Sequence, residues 1–237
     1  MSGSAIIKID NLLYRWSARD ALCLDLPQLQ VQAGERIFLH GPSGSGKSTL
    51  LGLLGGVLVP EQGGICVMDV DLTALRGAAR DRFRADHVGL IFQQFNLVPY
   101  LSVIDNVLLA CRFSARRAQR ALSQAPTLQQ EAERLLDHLD IAPGLHRRAA
   151  AQLSVGQQQR VAAARALIGR PGMVIADEPT SSLDEGRQQA FLDLLMRECD
   201  AAGATLLFVS HDRRLAPLFG RAIDLEVVNR AASGVQA

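Results

Sequence analysis

A chain of 237 residues, 48% of them hydrophobic, can bury a sizeable core in one large domain without a disulfide staple. Its 25 basic and 24 acidic side chains leave a formal charge of +1, which gives no reason to expect nucleic acid as the main partner. Cys23, Cys66, Cys111 and Cys199 are scattered with no C-x-x-C pair, as expected of reduced thiols in a cytosolic protein rather than a metal site or disulfide frame.

The first ten residues have no basic region and too short an apolar run for a signal peptide. The most apolar stretch, Leu50 to Val59, contains glycines and falls far below the roughly 18 residues a membrane span needs. Any membrane link is therefore expected to run through a partner.

Ile6-Ile7-Lys8-Ile9 and Leu29-Gln30-Val31 read as strands. Between them lies Trp16, the only tryptophan, in a polar stretch. It can stack on an adenine ring or pack at the rim of a sheet, and spacing does not choose between the two. Arg36 to His40 then reads as a short buried strand and Thr49 to Leu54 as a helix. Between them, Gly41-Pro42-Ser43-Gly44-Ser45-Gly46-Lys47-Ser48 fits G-x-x-x-x-G-K-[ST] at every fixed position. Glycines let such a loop fold tightly, so that its N–H groups can point at an anion, and the following helix N-terminus adds partial positive charge. Lys47 would reach the β- and γ-phosphates of a nucleotide and Ser48 the Mg²⁺. Lys8 and Lys47 are the only lysines in an arginine-rich chain. A lysine is kept where a compact point charge suits phosphate better than a planar fork.

Pro60 to Gly64 reads as a turn, Ile65 to Met68 as a strand and Arg76 to Arg84 as a polar helix. Val88 to Phe92 is an apolar run expected of a strand covered on both faces, ending at Gln93-Gln94. Ligands of parallel sheets gather at such carboxyl ends, where Gln93 can offer oxygen to Mg²⁺ and an amide to water, although by itself it reads more simply as a solvated loop glutamine. Helices are expected from Ser102, a candidate cap, to Leu139, with Leu128, Leu135, Leu136 and Leu139 on one face. Arg112, Arg116, Arg117 and Arg120 read as a solvated face. Ser154 with Gln157 forms a capping box, opening a helix that stops at Gly169-Arg170-Pro171.

Met173 to Ala176 reads as a buried strand ending in Asp177-Glu178. Asp177 is placed for hydrated Mg²⁺ and Glu178 to deprotonate a water. Thr180 to Asp184 turns into a helix, Glu185 to Cys199. Thr205 to Val209 is a third buried strand ending at Ser210-His211, and Ile223 to Val227 reads as the last strand.

With these motifs in order, the chain resembles the ATP-binding subunit of an ABC transporter from Ile6 to Val228. The wording of Phe92 to Pro99 and of Gln157 to Arg160 most resembles the subfamily serving lipoprotein release, macrolide export and cell-division permeases. Polar amino-acid importers are worded similarly. The resemblance implies an α/β fold: a P-loop NTPase core with a mostly parallel sheet, an N-terminal antiparallel β subdomain and an inserted helical subdomain. It implies a single ATPase domain, with core at about 1–93 and 166–230, the helical part at 94–165 and a loose tail at 231–237. It also implies an enzyme that hydrolyses ATP with Mg²⁺ for export, extraction or mechanical signalling. The expected partners are a second copy packed head to tail and an integral membrane permease at the inner face of the cell membrane. Carried over, Trp16 stacks on adenine, Gly41 to Thr49 hold phosphates, and Ser48, Gln93 and Asp177 serve Mg²⁺. Glu178 is the base and His211 the γ-phosphate contact. Ser154, Gly156, Gln157 and Asp184 complete the opposite copy's site. Val155 departs from the family's glycine. The rivals are a soluble ABC ATPase acting on ribosomes or DNA, which usually has two ATPase units or a coiled-coil insertion, and a non-hydrolysing scaffold, which Glu178 and His211 argue against.

Overall fold

The computed structural model describes residues 5–181 and 183–231. Ser182, within the turn before Asp184, and the expected tail beyond Ala231 lie outside the described residues. There are two compact units, one from the residues up to Arg84 with those from Leu207 onward, the other Ala85–Leu206.

In the first unit, β1 (Ala5–Tyr14), β2 (Leu24–Gln32), β4 (Gln62–Val67) and β5 (Val70–Asp71) form an antiparallel sheet in the order β2-β1-β4-β5. The first two strands run longer than the sequence predicts, with Tyr14 paired opposite Leu24. Asp10-Asn11 lies within the longer strand as a bulge: Asn11 has φ 48, and the pairing of β1 with β4 shifts register between Asp10 and Leu13. Gly63 makes the close approach possible, because a Cβ there would collide with the Asn11 carbonyl.

Strand β3 (Arg36–His40) pairs in parallel with β9 (Arg221–Asp224), His40 opposite Asp224. Phe38 stacks on Phe208 at 6.4 Å and tilts against Phe219 at 5.4 Å. The last strand is shorter than expected. The Asp224 carboxylate accepts the Glu226 N–H and caps a short helix, α8 (Leu225–Val228), in place of a strand to Val227. The phosphate-loop helix is α1 (Lys47–Leu54), and α2 (Gly77–His87) follows.

In the second unit, β6 (Val88–Ile91) pairs in parallel with β7 (Met173–Asp177). Ser102, Ser114 and Thr127 each accept a backbone N–H to cap α3 (Val103–Phe113), α4 (Ala115–Leu122) and α5 (Leu128–His138). Then come α6 (Val155–Leu167) and α7 (Glu185–Ala202). A Cβ on Gly89 would collide with the Ala166 carbonyl, so β6 lies directly against α6. Strand β8 (Thr205–Val209), buried at every residue, falls across the division between the units.

Arg117 departs from the solvated face expected of its charge run. It is 4% exposed and donates to the Ile168 carbonyl at 2.7 Å and to those of Arg165 and Ala166. These carbonyls lie in the last turn of α6 and just past it, where a helix lacks internal donors, and a cation there also meets the negative end of the helix dipole. Burial pushes the guanidinium down to about 10, still charged at neutral pH. Arg117→Met is expected to lower unfolding free energy by about 1–3 kcal/mol in urea titrations, since it strands buried acceptors. Arg116→Met, on the exposed side of the same helix, is expected to change it by no more than about 0.5 kcal/mol.

Candidate functional site

The first unit holds the phosphate loop, Trp16 and His211. Strand β3 delivers the chain to Gly41, and Gly46, at φ 97, begins α1 without a side-chain cap. A Cβ on Gly46 would stand 2.7 Å from Leu24 Cδ2, so this position needs glycine for both its backbone and its space. Lys47 Nζ donates to the carbonyls of Gly41 at 2.8 Å and Pro42 at 2.9 Å. An ammonium has three donors, which leaves one for a phosphate oxygen. Ser45 Oγ is buried and finds no hydrogen-bond partner among the described residues. Ser48 is exposed at the start of the helix, whereas the Thr49 hydroxyl is turned to Cys23 Sγ at 3.4 Å.

Trp16 leans edge-on against Tyr14, with centroids 5.4 Å apart, yet remains 62% exposed. The tryptophan thus packs at the rim on one side and leaves much of its ring open to solvent. His211 follows β8, where the Ser210 N–H donates to the Leu39 carbonyl at 3.2 Å. That bond brings His211 to the strand that feeds the phosphate loop. Beside it, the Arg214 guanidinium hydrogen-bonds Asp212 and holds its carboxyl below the usual range.

The second unit holds Gln93, the Ser154 to Gln157 turn, Asp177, Glu178 and Asp184. The register of β6 with β7 pairs Ile91 with Ala176, so Gln93 and Asp177 leave neighbouring parallel strands at the same carboxyl end. Glu178 takes φ 47, a left-handed backbone uncommon outside glycine and frequent where a side chain is aimed for function. At α6, the Ser154 N–H donates to Gln157 Oε1 at 3.0 Å and the Gln157 N–H to Ser154 Oγ at 3.4 Å, completing the expected capping box. Val155 is half exposed at the first helical position. Among the described residues, Leu183 alone comes within 4 Å of a Cβ added at Gly156. Asp184 caps α7 by accepting the Arg187 N–H at 3.0 Å. A cavity of about 320 Å³ has Ser154, Gly156, Gln157 and Leu183 among its lining residues.

Three side chains that sequence reasoning passed over hold these loops. Gln159, fully buried in α6, donates to the Pro179 carbonyl at 2.6 Å, one residue after Glu178. Arg165, also in α6, donates to the carbonyls of Asn96 and Phe95, each at 2.6 Å. Asn106, fully buried, accepts the Val98 N–H and donates to the carbonyls of Val98, Leu101 and Ser102. Phe95 and Asn96 have positive φ, so the segment after Gln93 sits in a shape that its neighbours must maintain. The polar Gln-Asn wording of the segment was visible; its clamps were not.

A family model described as ABC transporter matches residues 24–181. An uncharacterised ABC transporter ATP-binding protein of Mycobacterium tuberculosis is 41% identical over 199 residues, covering 83% of this chain. The chain spans only 57% of that relative's length. The lipoprotein-releasing system ATP-binding protein LolD of Syntrophotalea carbinolica is 36% identical over 225 residues, covering 94% of this chain and 96% of LolD. A solved dimeric post-hydrolysis state of the ATP-binding cassette MJ0796 bound to ADP and Pi matches with TM-score 0.77 at 30% identity, covering 92% of this chain and 93% of that one. The antiparallel sheet, the parallel pairs and the helices are those of an ABC cassette with its P-loop NTPase core.

Arg165→Met removes two charge-assisted bonds from the segment after Gln93. Its amides are expected to exchange with solvent about ten- to a hundredfold faster, read by hydrogen-exchange mass spectrometry on peptides spanning 92–98.

Proposed function

The chain belongs to the ABC transporter family, whose ATP-binding cassettes are ATPases, and from that premise we propose that it hydrolyses MgATP to power a partner membrane permease. The observation that carries the reading is the phosphate loop, with Lys47 folded over its carbonyls and α1 beginning at an uncapped glycine. Such a helix start attracts an anion, and the three phosphates of ATP supply one.

In the proposed reaction, Gly41, Pro42, Ser43, Gly44, Ser45, Gly46 and Thr49 wrap the phosphates while Trp16 stacks on adenine. Ser48, Gln93 and Asp177 offer a hydroxyl, an amide and a carboxylate, the hard oxygen donors that suit Mg²⁺. When bound, Mg²⁺ neutralises charge on the β- and γ-phosphates. Glu178 accepts a proton from water as the water oxygen bonds to the γ-phosphorus. The bond from that phosphorus to the bridging oxygen breaks, and ADP and phosphate leave. His211 steadies a γ-phosphate oxygen with a ring N–H.

A second copy packs head to tail, its Ser154, Gly156, Gln157 and Asp184 completing the site. The capping box supports this role for the α6 N-terminus even with Val155, since a helical first position does not require glycine. Residues 94–165 serve as the helical subdomain, and its helices near Gln93 to Val107 pass motion to the permease. The match to LolD over nearly the whole of both chains supports the lipoprotein-release type. No helix of the described residues is long and apolar enough to cross a membrane. The ABC transporter match and the LolD relative support a place at the inner membrane face through a permease.

Glu178→Gln is expected to retain MgATP binding while turnover by the purified protein with its permease falls about 10²–10⁴-fold. Wild-type turnover in that variant would remove Glu178 as the base. Trp16→Ala is expected to weaken ATP binding by roughly 1–3 kcal/mol, measured by calorimetry, because the base loses its stacking platform.

A further inference from the structure

Asn229 lies just past α8, where the sequence shows no motif, yet it is only 2% exposed. All four hydrogen-bonding positions of its carboxamide are used. Oδ1 accepts the Asp25 N–H at 2.8 Å and the Ala231 N–H at 3.2 Å. Nδ2 donates to the Cys23 carbonyl at 3.0 Å and the Ser45 carbonyl at 3.2 Å. Turning the amide over would set donors against N–H groups and oxygen against carbonyls, so only one orientation satisfies the site. One side chain thus joins β2, Ala231 and the phosphate loop.

The segments it joins are already packed together. A Cβ on Gly46 would meet the Cys23 carbonyl at 3.2 Å, and one on Gly41 would meet Leu225 Cβ at 3.5 Å. The Cys23 N–H donates to the Tyr14 carbonyl at 2.8 Å, closing the loop that carries Trp16. Asn229 therefore reaches the base-stacking loop and the phosphate loop through adjacent bonds. In the planar trans peptide joining Ser45 to Gly46, carbonyl and N–H point in opposite directions. Holding the Ser45 carbonyl fixes where the Gly46 N–H points.

We infer that Asn229 is a positioning residue for nucleotide binding. It anchors the Ser45 carbonyl so that the Gly46 N–H faces the phosphates, and it sets the spacing between the loop and the Trp16 segment. This rests on the ATP-binding reading above. It acts on ground-state binding of the nucleotide and leaves the chemical step to other residues.

The test has two arms, with Asn229→Ala and Asn229→Asp beside wild type. Asp keeps the acceptor and replaces the donor with an oxygen facing two carbonyls. Without nucleotide, exchange of amides 44–48 is expected to quicken on the order of tenfold in both variants. With MgATP, calorimetry is expected to show Kd raised on the order of tenfold, while kcat at saturating ATP stays within about twofold. A variant with lower Tm but wild-type loop exchange and Kd would make Asn229 a structural staple and overturn the inference. If neither variant folds, NMR of wild type decides: MgATP must shift the Asn229 carboxamide protons, and their indifference overturns the inference. A wild type that binds no MgATP defeats the ATPase reading instead, and the nucleotide-free exchange arm still decides whether the tether exists.

Discussion

A loop that must offer most of its N–H groups to an anion can spend few of them on holding itself together; here the Ser45 N–H donates to the Pro42 carbonyl at 3.2 Å. The rest of its shape is maintained through its carbonyls, by side-chain donors. In this chain Lys47 takes the Gly41 and Pro42 carbonyls and Asn229 takes that of Ser45. The remaining constraint is steric: Gly46 leaves no room for a side chain against Leu24. The first unit reads as an answer to that one requirement. Strand β3 brings the loop in, β2 and the residue before it supply Leu24 and Cys23, and α8 brings Asn229 within reach.

The same division of labour appears in the second unit. The segment after Gln93 is held by carbonyls too, two to Arg165 and three to Asn106. Helix α6 is the common support. Its N-terminus carries the capping box, Gln159 reaches the carbonyl after Glu178, Arg165 reaches the Gln93 segment, and Arg117 closes its far end. A movement of α6 would be felt at both loops, because each is bonded to it by a buried or mostly buried side chain. Burial has a cost that the structure makes visible. It lowers the pKa of both Arg117 and Arg165, and several short bonds to backbone oxygens offset the lost hydration.

Much of the site was legible in the sequence because its chemistry is local. The phosphate loop, the Ser154 and Gln157 box, the acidic end of β7 and the histidine after β8 are contiguous words. A tight turn, a cap or a strand end is made by neighbours in the chain, so residue type at fixed spacing reports it. The apolar runs of β3, β6, β7 and β8 were legible for a related reason, since a strand buried on both faces must be continuously hydrophobic.

The clamps were decided by the tertiary structure alone. Arg117 bonds carbonyls 48 to 51 residues away, Arg165 those 69 and 70 away, and Asn229 the Ser45 carbonyl 184 away. Every residue carries the same carbonyl, so no pattern of side chains marks which will be left unsatisfied. Arg117 could be told from its exposed neighbours only once α4 lay against the end of α6. The final strand followed the same logic in reverse. Its apolar run suggested continuation to Val227, but Asp224 turns its carboxylate onto its own backbone and starts a helix. That turn puts Asn229 where the phosphate loop needs a donor.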